Sequence, residues 1–397
     1  MTLKSPAGAL WFYRLMTQNP GIKNDLVNWF VRNITAPNIM RVDTPGFVTV
    51  RQNYRGEIIN QRNVFFSEMQ LAGFESALVE EFGEEGKKIA YSIGKNFGYA
   101  YCHCFSVPQL GIDDEGKIKD FISFFSAFMG VTWGEFLDLK YDLKAKAVEL
   151  GLGDHIVCRR NGLGYMFSSG DIAGGWQYIM RDDTVEGVQT ECIGRGDKCC
   201  KVICAPAGYI EQKGHQAISV AARAQFEVDS TYLEMNRPRP LQYSKASIKE
   251  LIAANFFKFE NNQLTFHDDR YCFTGIELLY ILEQFAKDDE RIGRILFKTA
   301  FDQGEGMAKE EKSNDCSTFI TDILSAIGFG DTLISRAGGD FQVQTNYFPY
   351  LATYGKIDYF YFRGLLSGLL SGFSGKKTEL KNFRTDVSNG YLKLELY

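Results

Sequence analysis

One order of elements occurs twice in this 397-residue chain, and that repetition constrains the fold more than any single motif. NVFFSEMQLAGFESALVEEF (63–82) is matched by RYCFTGIELLYILEQF (270–285). KIAYSIGKNFGYAYC (88–102) is matched by IGRILFKTAFDQGEGMA (292–308), with Gly304 in the place of Gly98. FISFFSAFMG (121–130) is matched by FITDILSAIG (319–328), and a cysteine-bearing segment before 206 by the tail TELKNFRTDVSNGYLKLELY (378–397). Identities are few, but the shared order reads as an internal duplication. Leu71, Phe74, Leu78 and Phe82 fall at helical spacing, which predicts a helix over 67–82. The next helix carries Gly94 and Gly98, small residues that let a neighbouring segment approach closely.

Each copy reads as strand, helices, then antiparallel hairpins ending in a strand. The expected class is α+β: two tandem copies of an antiparallel sheet with helices packed on one face, forming a pseudo-dimer. Residues 1–55 are expected to be a lead-in, with a helix over 24–33 and a strand at 47–54. The first domain spans 56–205 and the second 246–397. Between them, 206–245 reads as a linker with a bridging helix in HQAISVAARAQFEV (215–228) and the proline-bearing NRPRPLQ (236–242).

The segment VQTECIGRGDKCCKVICAP (188–206) reads as strand, tight turn and return strand. Gly194, Gly196 and Asp197 suit the backbone angles of such a turn. Folding there places Cys192 opposite Cys199 or Cys200, within reach of one soft metal ion, for which zinc is the usual occupant. The competing reading is that these cysteines are small buried hydrophobes. The second copy has Arg384 near the place of Cys192 and Leu392 near that of Cys200, so a metal is expected in the first copy alone. Cys102, His103 and Cys104 fall at a helix end, where residues two apart point about 200° apart and cannot grip one ion. Their packing is read as ordinary, with His103 kept as a candidate. His155 is read as a local hydrogen-bonding residue or an addition to a site near Cys158. Cys200 and Cys204 share a strand face but stand about 13 Å apart.

Composition excludes several function classes. The net charge is −5 with basic residues spread thinly, which argues against direct nucleic-acid binding. No run approaches the twenty apolar residues of a membrane span. Nine cysteines without an export-signal pattern predict a reducing, cytoplasmic setting. No phosphate-binding loop, dinucleotide fingerprint or nucleophile elbow is present, so the expected role is non-catalytic. Aromatic residues make up 14 % of the chain and concentrate in FISFFSAFMGVTWGEF. Such a stripe is usually core, and in a binding fold it lines an apolar pocket. Trp133 and Trp176 are the candidate ligand contacts.

With these residues in view, ECIGRGDKCCKVI, preceded by GYMFSSGDIAGG (164–175), resembles the 4-vinyl reductase domain. The upstream helices with Gly94 and Gly98 resemble the module preceding that domain in aromatic-sensing sigma-54-dependent activators. The resemblance covers roughly 55–204 and, as a degenerate copy, 260–397. It implies a ligand-binding α+β fold, distantly similar to a subunit type of the TRAPP vesicle-tethering complex and usually dimeric. It also implies a pocket for a small hydrophobic or aromatic molecule beside a structural zinc. Cys192 and Cys200 match two of the zinc thiolates, and Cys158 is the nearest candidate for the third. The family's carboxylate ligand lies three residues before the first hairpin cysteine. Gln189 stands there in this chain, and Glu191 is the available glutamate; Cys199 or Cys204 could substitute. The ATPase motor and helix-turn-helix of those activators are missing from this sequence. A sensor-like zinc protein with an unidentified protein partner, and a homodimer by analogy, is therefore the leading expectation. Alternatives are an enzyme or accessory factor acting on a tetrapyrrole vinyl group, and a scaffold like the vesicle-tethering subunits.

Overall fold

A computed structural model describes residues 40–397 apart from 55–56, 106, 108, 110–132, 223–229, 261–262, 311–314, 338–339, 350–356 and 389–390. The helix expected over 24–33 and the aromatic stretch 121–130 lie outside the described residues.

The chain's two halves meet in one antiparallel sheet. Strands β1 (Met40–Thr44), β2 (Phe47–Tyr54) and β3 (Glu57–Ser67) come from the first half. Strands β8 (Lys258–Glu260), β9 (Gln263–Phe266) and β10 (Asp269–Gly275) come from the second. The sheet order is β1-β2-β3-β10-β9-β8. At its centre Phe65 faces Phe273, with Ser67 opposite Tyr271 and Asn63 opposite Gly275. Antiparallel pairing of two equivalent strands is what an approximate two-fold axis produces. The strand expected at 47–54 is thus β2, and it belongs to the shared sheet rather than to a separate lead-in.

Both central strands run directly into helices. β3 leads to α1 (Glu68–Phe82) and α2 (Glu84–Cys104), and β10 leads to α5 (Ile276–Asp288) and α6 (Glu290–Glu310). Ser67 caps α1 by accepting from the Gln70 amide at 2.9 Å, the role short hydroxyl side chains fill at helix starts. Each half then builds its own four-stranded sheet. The first contains β4 (Glu135–Asp142), β5 (Ala147–Gly153), β6 (Val185–Glu191) and β7 (Cys200–Pro206). Between β5 and β6 lie α3 (Cys158–Asn161), a π-helical segment Tyr165–Asp171, and α4 (Ile172–Met180). The second contains β11 (Asp331–Ala337), β12 (Asp340–Asn346), β13 (Phe383–Ser388) and β14 (Tyr391–Leu396). Helix α7 (Cys316–Ala326) precedes that sheet, and α8 (Phe360–Ser374) lies between its hairpins. The orders β4-β5-β7-β6 and β11-β12-β14-β13 are the same topology. The fold is α+β and duplicated.

The glycine at the same turn of each long helix has the same job. A Cβ on Gly98 would stand 1.9 Å from the Asp171 carbonyl oxygen, and one on Gly304 would stand 2.2 Å from that of Leu365. Those distances leave no room for any side chain. The segment after α3 and helix α8 therefore sit directly on the backbones of α2 and α6.

Two arginines cross between the halves in reciprocal fashion. Arg62 and Arg270 each lie five positions before the final strand residue, Ser67 or Gly275. Arg62 donates to the carbonyls of Gly328 and Tyr347, each at 2.9 Å, and to Gly46. Arg270 donates to the Asp154 carbonyl at 2.9 Å and to the Glu68 carboxylate at 2.9 Å. Asp154 and Tyr347 each follow the second strand of their sheet, and both have positive φ, +49° and +59°. The two-fold breaks at the carboxylate: α1 begins with Glu68, whereas α5 begins with Ile276.

The expected helix in HQAISVAARAQFEV is not formed over 215–222, which has no helical structure. Buried Lys95 and Glu186 pair at 2.7 Å, and they also capture Val220. Lys95 Nζ donates to its carbonyl at 2.8 Å, and Glu186 Oε1 accepts its amide at 3.2 Å. Partners outside the segment replace those a helix would supply. No helix among the described residues is long and apolar enough to cross a membrane.

Candidate metal centre

The β6–β7 hairpin closes through a short 3₁₀ turn, Ile193–Arg195. A register shift between Gln189 and Glu191 precedes it, turning Cys192 inward. The Cys192 amide donates to Asp197 Oδ2 at 2.7 Å, and the Asp197 amide donates back to the Cys192 carbonyl at 3.1 Å. Cys200 opens the return strand. The third sulfur comes from Cys158, the first residue of α3. Val157 before it adopts φ +64°, ψ −62°. That is the strained γ-turn conformation, and the Cys158 amide donates to the Ile156 carbonyl at 2.7 Å.

All three sulfurs lie within 4.8 Å of one another, and Cys158 and Cys200 approach to 3.3 Å. The three residues are fully buried. Tetrahedral zinc with sulfur at about 2.3 Å needs sulfurs about 3.8 Å apart, a separation within the range these sulfurs span. The Cys192 thiol is held well below its ordinary range by hydrogen bonds from Cys158 and Cys200. Cys158 is pushed up because its proton is shared with Cys192 and Cys200. One thiolate is thus favoured among the three, the form a metal binds.

Three groups adjoin the sulfurs. His155 is buried, with Nδ1 3.2 Å from Ser168 Oγ and 4.0 Å from Cys158 Sγ. Burial, aided by Arg270, lowers its pKa to about 4 and keeps it neutral. Gln189 carries an amide whose nitrogen and oxygen are both buried without a hydrogen-bond partner. A Cβ on Gly164 would stand 1.7 Å from Gln189 Oε1 and 3.2 Å from Cys158 Cβ. The amide and the thiol therefore line the same cleft, and Gly164 leaves it open. Glu68 supports the site from behind, accepting the Val157 amide at 2.9 Å together with Arg159, Arg160 and Arg270.

The structure thus brings together Cys158, Cys192 and Cys200. Glu191 is elsewhere: it pairs with Lys201 at 2.6 Å and accepts from Cys199 Sγ at 3.8 Å, outside the three-thiol group. Cys204 is buried further along β7, opposite Gly187 and Val148. Trp133 is 3 % exposed, stacks on Phe97 and donates its indole N–H to the Phe273 carbonyl at 2.7 Å. Trp176 is 4 % exposed and donates to the Lys146 carbonyl at 2.8 Å. Both indole donors are used inside the core. His103 lies edge-on to Tyr178 and is partly exposed, while its neighbours Cys102 and Cys104 are buried in separate clusters. In the second half, strand pairing sets Leu394 opposite Thr345 as Cys200 is opposite Leu152. The residue at the place of Cys200 is therefore Leu394, two positions beyond Leu392, and equally unable to bind metal. Glu68 is a site neighbour that the sequence does not single out, its only signal being polarity within a segment that otherwise buries. Gln189 stands where the resemblance puts a carboxylate ligand, but the sequence reading prefers Glu191.

No family model matches this chain, and no curated protein matches it. Among solved structures it is similar to the crystal structure of the phenol-responsive sensory domain of the transcription activator PoxR with phenol. The identity is 17 % and the TM-score 0.31, over 46 % of this chain and 94 % of that one.

Proposed function

We propose that this chain is a non-catalytic, sensor-like, small-molecule-binding protein whose first half is fastened by one structural zinc ion. Cys158, Cys192 and Cys200 would supply three thiolates. The Gln189 carbonyl oxygen is the donor that best completes the set, since it is buried, unpartnered and beside Cys158. Zinc supplies a cross-link here, tying the closing β-ribbon to the turn that begins α3, and metal binding then adds directly to folding free energy. The single observation carrying this reading is the convergence of three buried sulfurs from two separate segments. The ligand-binding part rests on the sequence resemblance of 164–204 to the 4-vinyl reductase domain, and the ligand class it suggests is a small hydrophobic or aromatic molecule. Cytoplasmic residence fits nine cysteines of which none forms a disulfide.

Native mass spectrometry of untreated protein tests the zinc part. One zinc per chain retained after dialysis, and lost in Cys192→Ser and Cys200→Ser, is expected. A folded, metal-free wild type would overturn the zinc assignment. Phenol, toluene and indole titrated by ligand-observed NMR test the ligand part, which fails if none binds in the millimolar range.

A further inference from the structure

The two four-stranded sheets end in unequal edges. β6 and β13 hold matching edge positions in the orders β4-β5-β7-β6 and β11-β12-β14-β13. The start of β6 is closed: Val185, Glu186 and Gly187 are buried, and Glu186 accepts the Val220 amide at 3.2 Å. β13 is open, with Arg384, Thr385, Asp386 and Val387 all exposed, Val387 by 51 %. Lysines, a proline or a bulge usually blunt such an edge. FRTDVS has no lysine or proline, and its register with β14 runs unbroken from Phe383–Leu396 to Ser388–Tyr391.

The hairpin fixes which way the backbone groups of β13 point. Asn382 and Tyr397 exchange both main-chain hydrogen bonds, at 3.0 and 3.1 Å. Hydrogen-bonded and non-hydrogen-bonded pairs alternate along an antiparallel ladder. Arg384 and Asp386, opposite Glu395 and Lys393, therefore direct their main-chain groups to β14. The N–H and C=O of Phe383, Thr385 and Val387 point to the open side, where no partner for them is found among the described residues.

This edge is complementary to itself. A second β13, laid antiparallel with Thr385 opposite Thr385, sets Phe383 opposite Val387 and Arg384 opposite Asp386. The outward groups at 383, 385 and 387 then meet as hydrogen-bonded pairs, two bonds to each pair. Arg384 and Asp386 fall at the non-hydrogen-bonded pairs, where facing side chains come closest. With β14 included, each exposed row reads Glu395, Arg384, Asp386, Lys393, alternating in sign across the two copies. On the other face, half-buried Phe383, packed edge-on against Tyr359 at 5.1 Å, comes to lie beside the exposed Val387 of the second copy.

We propose that β13 is a homodimer interface, through which two copies of this chain join their second-half sheets about a two-fold axis at Thr385. One strand from each copy makes a smaller contact than the roughly 1,200–2,000 Å² of stable interfaces, so the dimer is weak and concentration-dependent. The two halves of one chain pair through β3 and β10, so this is a different surface. It depends on neither the zinc nor the ligand reading.

Sedimentation velocity of the full chain, from micromolar to near-millimolar concentration, should show a monomer–dimer equilibrium. Arg384→Asp and Asp386→Arg each set like charges opposite one another and should each weaken self-association at least ten-fold. Mixed in equal amounts, the two variants regain opposite charges at both pairs and should associate like wild type, a rescue that misfolding could not give. Thr385→Pro removes an N–H on the open side and leaves the β13–β14 hydrogen bonds in place. It should abolish the dimer with circular dichroism unchanged. A monomeric wild type throughout, a dimer indifferent to Arg384→Asp or Thr385→Pro, or a mixture that fails to associate would each overturn the assignment.

Discussion

Glu68 is the residue whose removal should be felt at both the junction of the halves and the metal centre. It has no exposed side-chain surface and receives Arg270 from the second half, Arg159 and Arg160 from the first, and the Val157 amide. Burial by itself would push its carboxyl up. The hydrogen bond from Arg159 and the charges of Arg270 and Arg159 override that and bring it from 4.5 to about 2. At about 1.4 kcal/mol per pH unit, that shift corresponds to about 3 kcal/mol of stability at neutral pH. Removing one partner of a buried ion pair independently suggests about 3–5 kcal/mol. Glu68→Gln keeps the shape and leaves Arg270 and Arg159 without their anion. It should cost about 3 kcal/mol by denaturant unfolding at pH 7 in zinc-containing buffer. Arg270→Met leaves Glu68 two other arginines and should cost less, about 1–2 kcal/mol. The double variant should fall short of the sum of the two losses. The pH dependence has a definite sign: a carboxyl lowered in the folded state stabilises fully above about 4.5, and that contribution fades as pH falls toward 2. A Glu68→Gln protein within about 0.5 kcal/mol of wild type, or additive single losses, would refute this account.

Gly98→Ala and Gly304→Ala should each destabilise by about 2–3 kcal/mol through overpacking, and a thermal scan showing either within about 2 °C of wild type would contradict the equivalence of the two contacts. Chelation, or Cys200→Ser, should lower the melting temperature and increase proteolysis around the β6–β7 ribbon, as read by mapping the cleavage sites. Because β3 and β10 pair at the centre of one sheet, both halves should unfold in a single transition, and two separated calorimetric peaks would argue otherwise. Trp176→Phe leaves the Lys146 carbonyl without its indole donor and should cost about 1 kcal/mol, whereas loss of ligand binding without any loss of stability would support a role as a ligand contact.

Much of this protein is written locally, and those parts were legible in the sequence. The repeated helix pair, the strand at 47–54, the close-approach glycines and the thiol-bearing hairpin all depend on periodicity, turn chemistry or small size within a few residues. The loss of the thiols in the second copy is likewise plain from Arg384 and Leu392, although strand pairing moves the place of Cys200 on to Leu394. Other features rest on groups far apart in the chain. A strand carries no mark of which edge will meet it, so the β3–β10 junction and the exchange of Arg62 and Arg270 emerge only on assembly. The segment 215–222 has helical composition, yet the buried Lys95–Glu186 pair claims its backbone and holds it open. Glu191 reads as the nearer carboxylate, but the register shift in β6 turns it to Lys201 while Gln189 shares the cleft of Cys158. Sequence determined which elements exist and where sulfur is concentrated. Tertiary structure decided which polar groups face those sulfurs, because that depends on burial and register created by distant strands.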